Sequence, residues 1–320
     1  MERKQIEAEL RSLQEKLSSL KDEIKEDEKE SPINNIIKQL EETTLTLKTE
    51  LYRKITPFER VQLARNPNRP TTIDYIKYLL TDFIQLHGDR LYMDDLAIVS
   101  GIGFFEGIPV TVIGHQKGRD TKDNLKRHFG MPHPEGYRKA LRMMRQAEKF
   151  KRPIICFIDT PGAYPGIGAE ERGQGEAIAV NLAKMSMLKT PIISIITGEG
   201  GSGGALALGV ADKVFMLANT IYSVISPEGC ASILWKDASK APEAAEVMKM
   251  DPNNLLRMGV IDDIIEEPQG GAHEDFDGTM NNIRTKLITA LEELSQYSEE
   301  DLLENRYKKI RQLGFFIEGG

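Results

Sequence analysis

Residues 192–208 read IISIITGEGGSGGALAL, and this stretch decides the fold. An apolar, β-type run breaks into a glycine cluster and then resumes with helix formers, which is typical of a strand, a tight loop and the start of a helix. Glycine lets another molecule approach the main chain closely, and the first N–H groups of a helix have no internal acceptor. The stretch therefore predicts a corner that can bind an anion or a developing oxyanion through main-chain donors.

A second corner of the same design lies upstream. Residues 153–168 read PIICFIDTPGAYPGIG, again an apolar run followed by a glycine-rich turn. Because the carboxyl ends of parallel strands meet at one edge of a sheet, two such corners on successive strands predict a shared site.

The rest of the chain alternates between strand and helix patterns. We predict strands at 97–105, 108–114, 153–158, 191–197, 213–217 and 260–265, the first two joined by a hairpin turn at Glu106-Gly107. We predict helices at 72–86, 137–150, 170–188, 201–209, 252–258 and 277–294, and a last helix capped by Ser298 with Asp301. This order is typical of an α/β fold with parallel strands and short crossovers.

The N-terminal segment follows a different rule. Two runs carry apolar or small residues at alternating steps of three and four: Ile6, Leu10, Leu13, Leu17, Leu20 and Ile24, then Ile37, Leu40, Thr44, Leu47 and Leu51. The spacing predicts an antiparallel helical hairpin, its second helix capped by Ser31-Pro32. A thin hairpin buries little by itself, so we favour docking to another subunit. We divide the chain into this hairpin (1–56), a main domain (57–295) and a C-terminal helix and tail (296–320).

The amino-acid composition excludes several classes of function. With 49 acidic and 42 basic residues the net charge is −7, so nucleic-acid binding is not expected. The two cysteines, Cys156 and Cys230, allow no disulfide framework or cysteine-based zinc site and fit a reducing cytoplasm. The first residues are charged and no run reaches membrane-spanning length, so we expect neither a secretory signal nor a membrane segment.

Several motifs favour other functions. Residues 198–203 match a dinucleotide fingerprint, but no acidic residue ends the next strand to hold a ribose. Residues 200–204 match a nucleophile elbow around Ser202, with Asp237 and His273 downstream as triad partners. A serine hydrolase is therefore the alternative enzyme, and an assembly scaffold is the alternative that is not an enzyme.

His128 and His133 suggest a metal, but no carboxylate sits at a matching helical spacing, which favours a structural loop.

A basic segment in this acidic chain leaves the end of the 108–114 strand. Residues 115–128 read HQKGRDTKDNLKRH. Such a run is either a solvated surface or a place where Lys117 and Arg119 hold a carboxylate or phosphate.

Longer stretches carry a resemblance. Residues 114–119 (GHQKGR), 131–132 (MP), 134–140 (PEGYRKA), 157–166 (FIDTPGAYPG), 198–205 (GEGGSGGA) and 222–236 (YSVISPEGCASILWK) together resemble the carboxyltransferase α subunit of bacterial acetyl-CoA carboxylase. The match runs from the N-terminal helices nearly to the C-terminus.

The resemblance implies a crotonase-like fold of ββα turns and a cytoplasmic transferase that is active only with a β subunit, as an α2β2 assembly. The family moves a carboxyl group from N-carboxybiotin, presented by the biotin carboxyl carrier protein, to acetyl-CoA and makes malonyl-CoA for fatty acid synthesis. Biotin carboxylase is the other implied partner. Biotin is not attached to this chain, and no metal is expected in it.

By the same resemblance, the α subunit supplies main-chain donors to the oxyanion on the biotin side. Arg119 would orient the transferred carboxylate. We assign the donors to the N–H groups of Gly200, Gly201, Gly203 and Gly204, assisted by Gly162, Ala163, Gly166 and Ile167.

Overall fold

The computed structural model describes residues 3–23, 32–52 and 55–314. By internal contacts the chain divides into two units, Met1–Thr56 and Pro57–Gly320. None of the helices in these described ranges has the length and the apolar composition of a membrane span.

The first unit is the predicted helical hairpin. Helix α1 (Arg3–Glu23) packs on α2 (Pro32–Tyr52) through Leu10, Leu47 and Leu51, all buried. Because the early part of α1 meets the late part of α2, the two helices are antiparallel. The heptad prediction is confirmed for these positions, whereas the Ile6 and Ile24 side chains and the Ser31 cap lie outside the described residues.

The second unit is an α/β body. Its strands are β1 (Thr81–Gln85), β2 (Ile98–Phe105), β3 (Ile108–His115), β4 (Ile154–Thr160), β5 (Ile192–Gly201), β6 (Lys213–Leu217), β7 (Ile221–Ser223) and β8 (Asp263–Ile265). Its helices are α3 (Pro57–Ala64), α4 (Thr72–Leu79), α5 (Thr121–Lys126), α6 (Pro134–Lys149), α7 (Ile167–Glu171), α8 (Gln174–Met185), α9 (Ser202–Leu206), α10 (Pro227–Trp235), α11 (Ala241–Met248), α12 (Pro252–Arg257), α13 (Phe276–Leu294) and α14 (Glu299–Arg311).

The sheet is mixed, with a parallel core. Its order is β1-β2-β3-β4-β5-β6-β8, and β7 pairs with the far end of β5. Strand β2 is antiparallel to both of its neighbours, β1 and β3, and every pair from β3 onward is parallel. The carboxyl ends of β3, β4 and β5 therefore lie side by side, as the sequence predicted.

Helices cover both faces of the sheet. On one face Tyr75 of α4 stacks on Phe157 of β4 with ring centroids 5.1 Å apart, and α13 adds Met280 and Leu287. On the other face α6 packs Ala140 and Met144 against the strands. Residues buried on both faces explain why β4 and β5 are continuous apolar runs rather than alternating ones.

Several predicted boundaries are wrong, and the helix predicted at 201–209 spans only Ser202–Leu206. The helix predicted at 72–86 ends at Leu79, and the next residues form edge strand β1 beside β2. The helix predicted at 170–188 is two helices, interrupted where Gly173 adopts φ 82°. Strand 191–197 continues to Gly201, since it gains β7 as a partner, and strand 260–265 shortens to Asp263–Ile265.

A buried ion pair fastens the C-terminal helix to the sheet. Ser298 caps α14 as predicted, by accepting from the N–H of Asp301. From this helix the Arg306 guanidinium, fully buried, donates to both oxygens of Asp212 at 2.8 Å and to the carbonyls of Met185, Leu188 and Thr190. Every guanidinium nitrogen thus has an acceptor, which is the condition under which a buried charge is tolerated.

We expect Arg306→Leu to lower the free energy of unfolding by about 3 to 5 kcal/mol, because Asp212 would remain buried without its cation. Urea unfolding followed by circular dichroism measures this. Arg311→Leu, at an exposed position of the same helix, is the matched control and should change stability by less than about 0.5 kcal/mol. Equal effects of the two variants would contradict the assignment.

Candidate active site

The two glycine corners are in direct contact through their main chains. A Cβ atom at Gly201 would lie 2.2 Å from the carbonyl oxygen of Pro161, and one at Gly204 would lie 2.6 Å from the carbonyl carbon of Gly162. Both distances are too short for any side chain. Glycine is therefore required at these two positions of β5 and α9 so that the turn after β4 can pack against them.

The first glycines of the cluster belong to a strand rather than to a loop. Through residues 199–201, β5 pairs with β7, and Thr160 of β4 pairs with Gly200 on the other side. A Cβ at Gly198 would lie 2.3 Å from the Asp159 carboxylate, and one at Gly200 would lie 2.7 Å from the Tyr222 ring. Glycine is needed at these two positions because the Asp159 carboxylate and the Tyr222 ring occupy the space of a side chain. The two glycines therefore serve the packing of the strand and do not form a phosphate-binding turn.

Main-chain donors are found where β5 turns into α9. Ser202 adopts φ 50° at this turn, in the left-handed region that non-glycine residues rarely occupy. The N–H groups of Ser202, Gly203 and Gly204 open α9 and so have no acceptor one helical turn earlier. Of the proposed donors, Gly203 and Gly204 therefore have the most suitable position, whereas Gly200 and Gly201 lie within the strand.

The first corner holds the assisting donors that we predicted. The N–H of Gly162 donates to the Thr160 hydroxyl at 3.1 Å, so an oxyanion would compete with that hydroxyl for this amide, and its role stays a prediction. Ala163 is half-buried between the corners, Gly166 precedes α7, and the side chain of Ile167 is 79% exposed. The roles of these three residues stay predictions.

A charged cluster lies directly behind the glycine strand. Lys117 Nζ lies 2.7 Å from Asp159 Oδ1 and 3.5 Å from Glu199 Oε2, and the Glu199 N–H donates to the same Asp159 oxygen at 2.9 Å. Burial would lower the pKa of Lys117, but the two carboxylates outweigh it and raise the pKa above its usual value. Lys117 therefore keeps its charge and joins the ends of β3, β4 and β5.

Arg65 extends this cluster, and sequence reasoning missed it. Its Nε lies 2.6 Å from Glu199 Oε1 and its two terminal nitrogens lie 2.7 and 3.3 Å from the Glu228 carboxylate. Burial by itself would raise the pKa of the Glu228 carboxyl, but the hydrogen bond and the charge of Arg65 outweigh burial and lower that pKa. One arginine thus fixes the end of β5 against the first turn of α10.

Arg69 forms a second bridge. It donates to the Thr197 carbonyl of β5 at 2.9 and 3.1 Å and to Glu267 at 2.5 Å, with both side chains almost fully buried. Residues 65–69 form neither a helix nor a strand, so no regular spacing in the sequence marked these two arginines as neighbours of the strand ends.

Arg119 is engaged elsewhere. Its guanidinium donates to the carboxylate of Asp74 and, at 2.9 Å, to the carbonyl of Arg69, and its side chain is 47% exposed. A substrate carboxylate would have to compete with Asp74. Lys117 and Arg119 thus have protein partners, and their substrate contacts stay predictions.

An apolar cleft opens beside the start of α9. It has a volume of about 570 Å³, and its wall includes Ser202, Gly203, Leu206, Tyr222 and Val224. A molecule in this cleft would lie next to the first turn of the helix. The cleft therefore offers apolar contact beside main-chain donors.

The two alternative motifs do not form their sites. Strand pairing up to Gly201 removes the turn that a dinucleotide fingerprint requires. Asp237 accepts hydrogen bonds from Ser239, and His273 Nε2 lies 3.1 Å from Asn66 Nδ2. These contacts do not assemble the relay that a Ser202 hydrolase would need.

The structure changes the argument about His128 and His133. Their ring centroids lie 4.2 Å apart, and Asp95, from the segment between β1 and β2, lies beside both. This carboxylate does not stand at helical spacing from either histidine, because it lies more than thirty residues earlier in the chain. Sequence spacing could not have revealed it.

Glycine placement in the corners gives a matched pair of variants. Gly201→Ala forces a Cβ into main-chain atoms and should cost about 3 kcal/mol of unfolding free energy. Gly203→Ala meets only Ile178 at 3.5 Å and should change stability by less than about 1 kcal/mol. Chemical denaturation measures both, and equal losses would show that the corners do not touch as described.

His115, at the end of β3, predicts a pH dependence. It is 1% exposed, and burial lowers its pKa to about 4, whereas in the unfolded chain the value is about 6.5. The unfolded state therefore binds more protons between these values, so the stability present above about pH 6.5 is lost as pH falls towards 4.

Between about pH 7.5 and 5, this residue should account for about 2 kcal/mol of lost stability. His115→Gln should reduce the difference between unfolding free energies measured at these two pH values by that amount. An unchanged difference would mean that the imidazole is not held neutral in the folded chain.

Solved structures with the same fold include a transcarboxylase and a malonate decarboxylase. The chain aligns with transcarboxylase 12S at a TM-score of 0.59 and 18% identity, covering 77% of this chain but only 44% of that one. It aligns with a malonate decarboxylase heterodimer of Pseudomonas at a TM-score of 0.55 and 20% identity, covering 68% and 89%. The predicted crotonase-like fold is confirmed, and the chain is an α/β protein of the crotonase-like class.

Sequence relatives give the family. Residues 3–314 match the family described as acetyl co-enzyme A carboxylase carboxyltransferase-like. The α subunit of the acetyl-CoA carboxylase carboxyl transferase of Alkaliphilus oremlandii is 62% identical over 270 residues, 84% of this chain and 85% of that protein. The α subunit from a Geobacillus species is 56% identical over 312 residues, 98% and 95% of the two chains. The chain therefore belongs to the acetyl-CoA carboxylase carboxyltransferase α-subunit family, as its sequence motifs predicted.

Proposed function

We propose that this chain provides the biotin side of an active site that transfers a carboxyl group to acetyl-CoA and yields malonyl-CoA. The contact between the two glycine corners carries the proposal, because it sets the start of α9 at the shared edge of β4 and β5. When bound, N-carboxybiotin on a carrier protein supplies the carboxyl group.

The proposed donors are the N–H groups of Gly203 and Gly204. Negative charge developing on an oxygen near the first turn of α9 would accept from them. Preorganised donors of this kind contribute roughly 3 kcal/mol each to the stabilisation of an oxyanion. Because they are part of the main chain, they need no rearrangement during the reaction.

The cleft beside these amides has a wall that suits the biotin group. Biotin combines an apolar bicyclic ring with a polar ureido oxygen. The cleft wall is mainly apolar, with Leu206, Tyr222 and Val224 on it, while Ser202 and Gly203 bring it to the helix start. The ring would contact the apolar wall while its oxygen met the amides.

The charged cluster fixes the donors without taking part in proton transfer. Lys117, Asp159, Glu199 and Arg65 are bonded to one another, and Asp159 also accepts from the Glu199 amide. Each of these charges is therefore engaged. Their role is to hold the strand that ends in the donor turn.

Partners complete the proposal. The relatives are named as α subunits, so we propose that a β subunit supplies the acetyl-CoA side and that the biotin carboxyl carrier protein and biotin carboxylase supply the carboxyl group. The helical hairpin is a proposed docking element, because it leaves Ile36 and Leu45 about half exposed.

The first test is reconstitution. The purified chain alone should form no malonyl-CoA from acetyl-CoA and carboxybiotin, and adding the β subunit should restore the reaction. Malonyl-CoA is measured by liquid chromatography. Full activity of the isolated chain would contradict a shared active site.

Variants at the donor turn separate this function from a hydrolase. In the reconstituted enzyme, Gly203→Val should lower kcat by at least about tenfold, because its side chain crowds the turn and the cleft, whereas Ser202→Ala should stay within about twofold. A Ser202 nucleophile predicts the reverse order. Thermal melting of each variant checks that the loss is not caused by unfolding.

A further inference from the structure

A cluster of possible metal ligands lies outside the proposed active site. One ligand atom each from Asp95, His128 and His133 lies within 4.8 Å of the other two. Two imidazoles with one carboxylate are a ligand set that suits zinc and neighbouring divalent transition metals. From this geometry we propose that Asp95, His128 and His133 bind one such ion.

The Asp95 carboxylate is buried and held in place by main-chain donors. It is 4% exposed, and its oxygens accept from the N–H groups of Ala97 at 2.8 Å and His133 at 2.7 Å. Lys139 donates instead to the Asp94 carboxylate and to the main-chain carbonyl of Asp95. Within the described part of the chain, no cationic side chain forms an ion pair with the Asp95 carboxylate. A divalent ion would supply the missing positive charge.

The two imidazoles are already placed next to this carboxylate. Their planes meet at 67°, and His133 also stacks on Tyr164 at 4.1 Å. Metal bonds of about 2.0–2.2 Å place tetrahedral ligand atoms roughly 3.3 Å apart. The three atoms therefore need only small side-chain movements to bind an ion, and a water molecule would complete the coordination.

The site would also stabilise the first glycine corner. Tyr164 lies in that corner, packed so closely that a Cβ at Gly166 would be 2.3 Å from its ring. An ion on His133 would fix the ring on which Tyr164 stacks. Binding to the folded chain alone then raises stability by mass action.

The full-length chain, without a polyhistidine tag and stripped by a chelator, should bind one equivalent of Co²⁺. The visible d–d absorption of Co²⁺ reports its coordination, Zn²⁺ should displace it, and Zn²⁺ should raise the melting temperature. Because even outer-shell partners change metal affinity roughly 10- to 100-fold, loss of one ligand should cost at least about 100-fold.

His128→Asn and His133→Ala are the test variants, since both side chains are half-buried and their loss spares the core. His87→Asn is the control, because His87 pairs with Asp94 at 2.9 Å and is exposed. Loss of Co²⁺ binding in both test variants but not in the control supports the site. A smaller loss in either test variant, an equal loss in the control, or no saturable binding to the unaltered chain overturns it.

Discussion

Main chain packed against main chain is the constraint on which this structure depends. The turn after β4 and the turn after β5 touch where Gly201 meets Pro161 and Gly204 meets Gly162. A methyl group at either glycine would separate the two corners. The contact therefore sets the position of α9 relative to the sheet, and with it the direction of the amides that open the helix.

Charge keeps the two turns at this distance. Lys117 holds Asp159 and Glu199 together, and Arg65 joins Glu199 to Glu228 of α10. Each carboxylate has a fixed cation, so the cluster is a support rather than a set of free acids and bases. This arrangement is consistent with a reaction in which the chain contributes oriented N–H groups while partners bring the reacting molecules.

Sequence patterns within single segments predicted the helices, strands and caps that depend only on neighbouring residues. The apolar runs of β4 and β5, the hairpin of β2 and β3 and the Ser298 cap are all visible in the sequence. The extension of β5 was not, because it requires β7 as a partner more than twenty residues away. For the same reason Arg65 and Asp95 could not be assigned, since each acquires its partners only through folding. The hydrogen bond from the Gly162 N–H to the Thr160 hydroxyl could not be read from the sequence either, because it depends on how the turn after β4 folds.

The most direct test of the central claim is a crystal structure of the chain assembled with the proposed β subunit and biotin. The account predicts that the ureido oxygen of biotin lies about 2.7–3.1 Å from the amide nitrogen of Gly203 or Gly204. A ureido oxygen bound at any other place, or these two amides bonded to protein acceptors in the assembled enzyme, would contradict it.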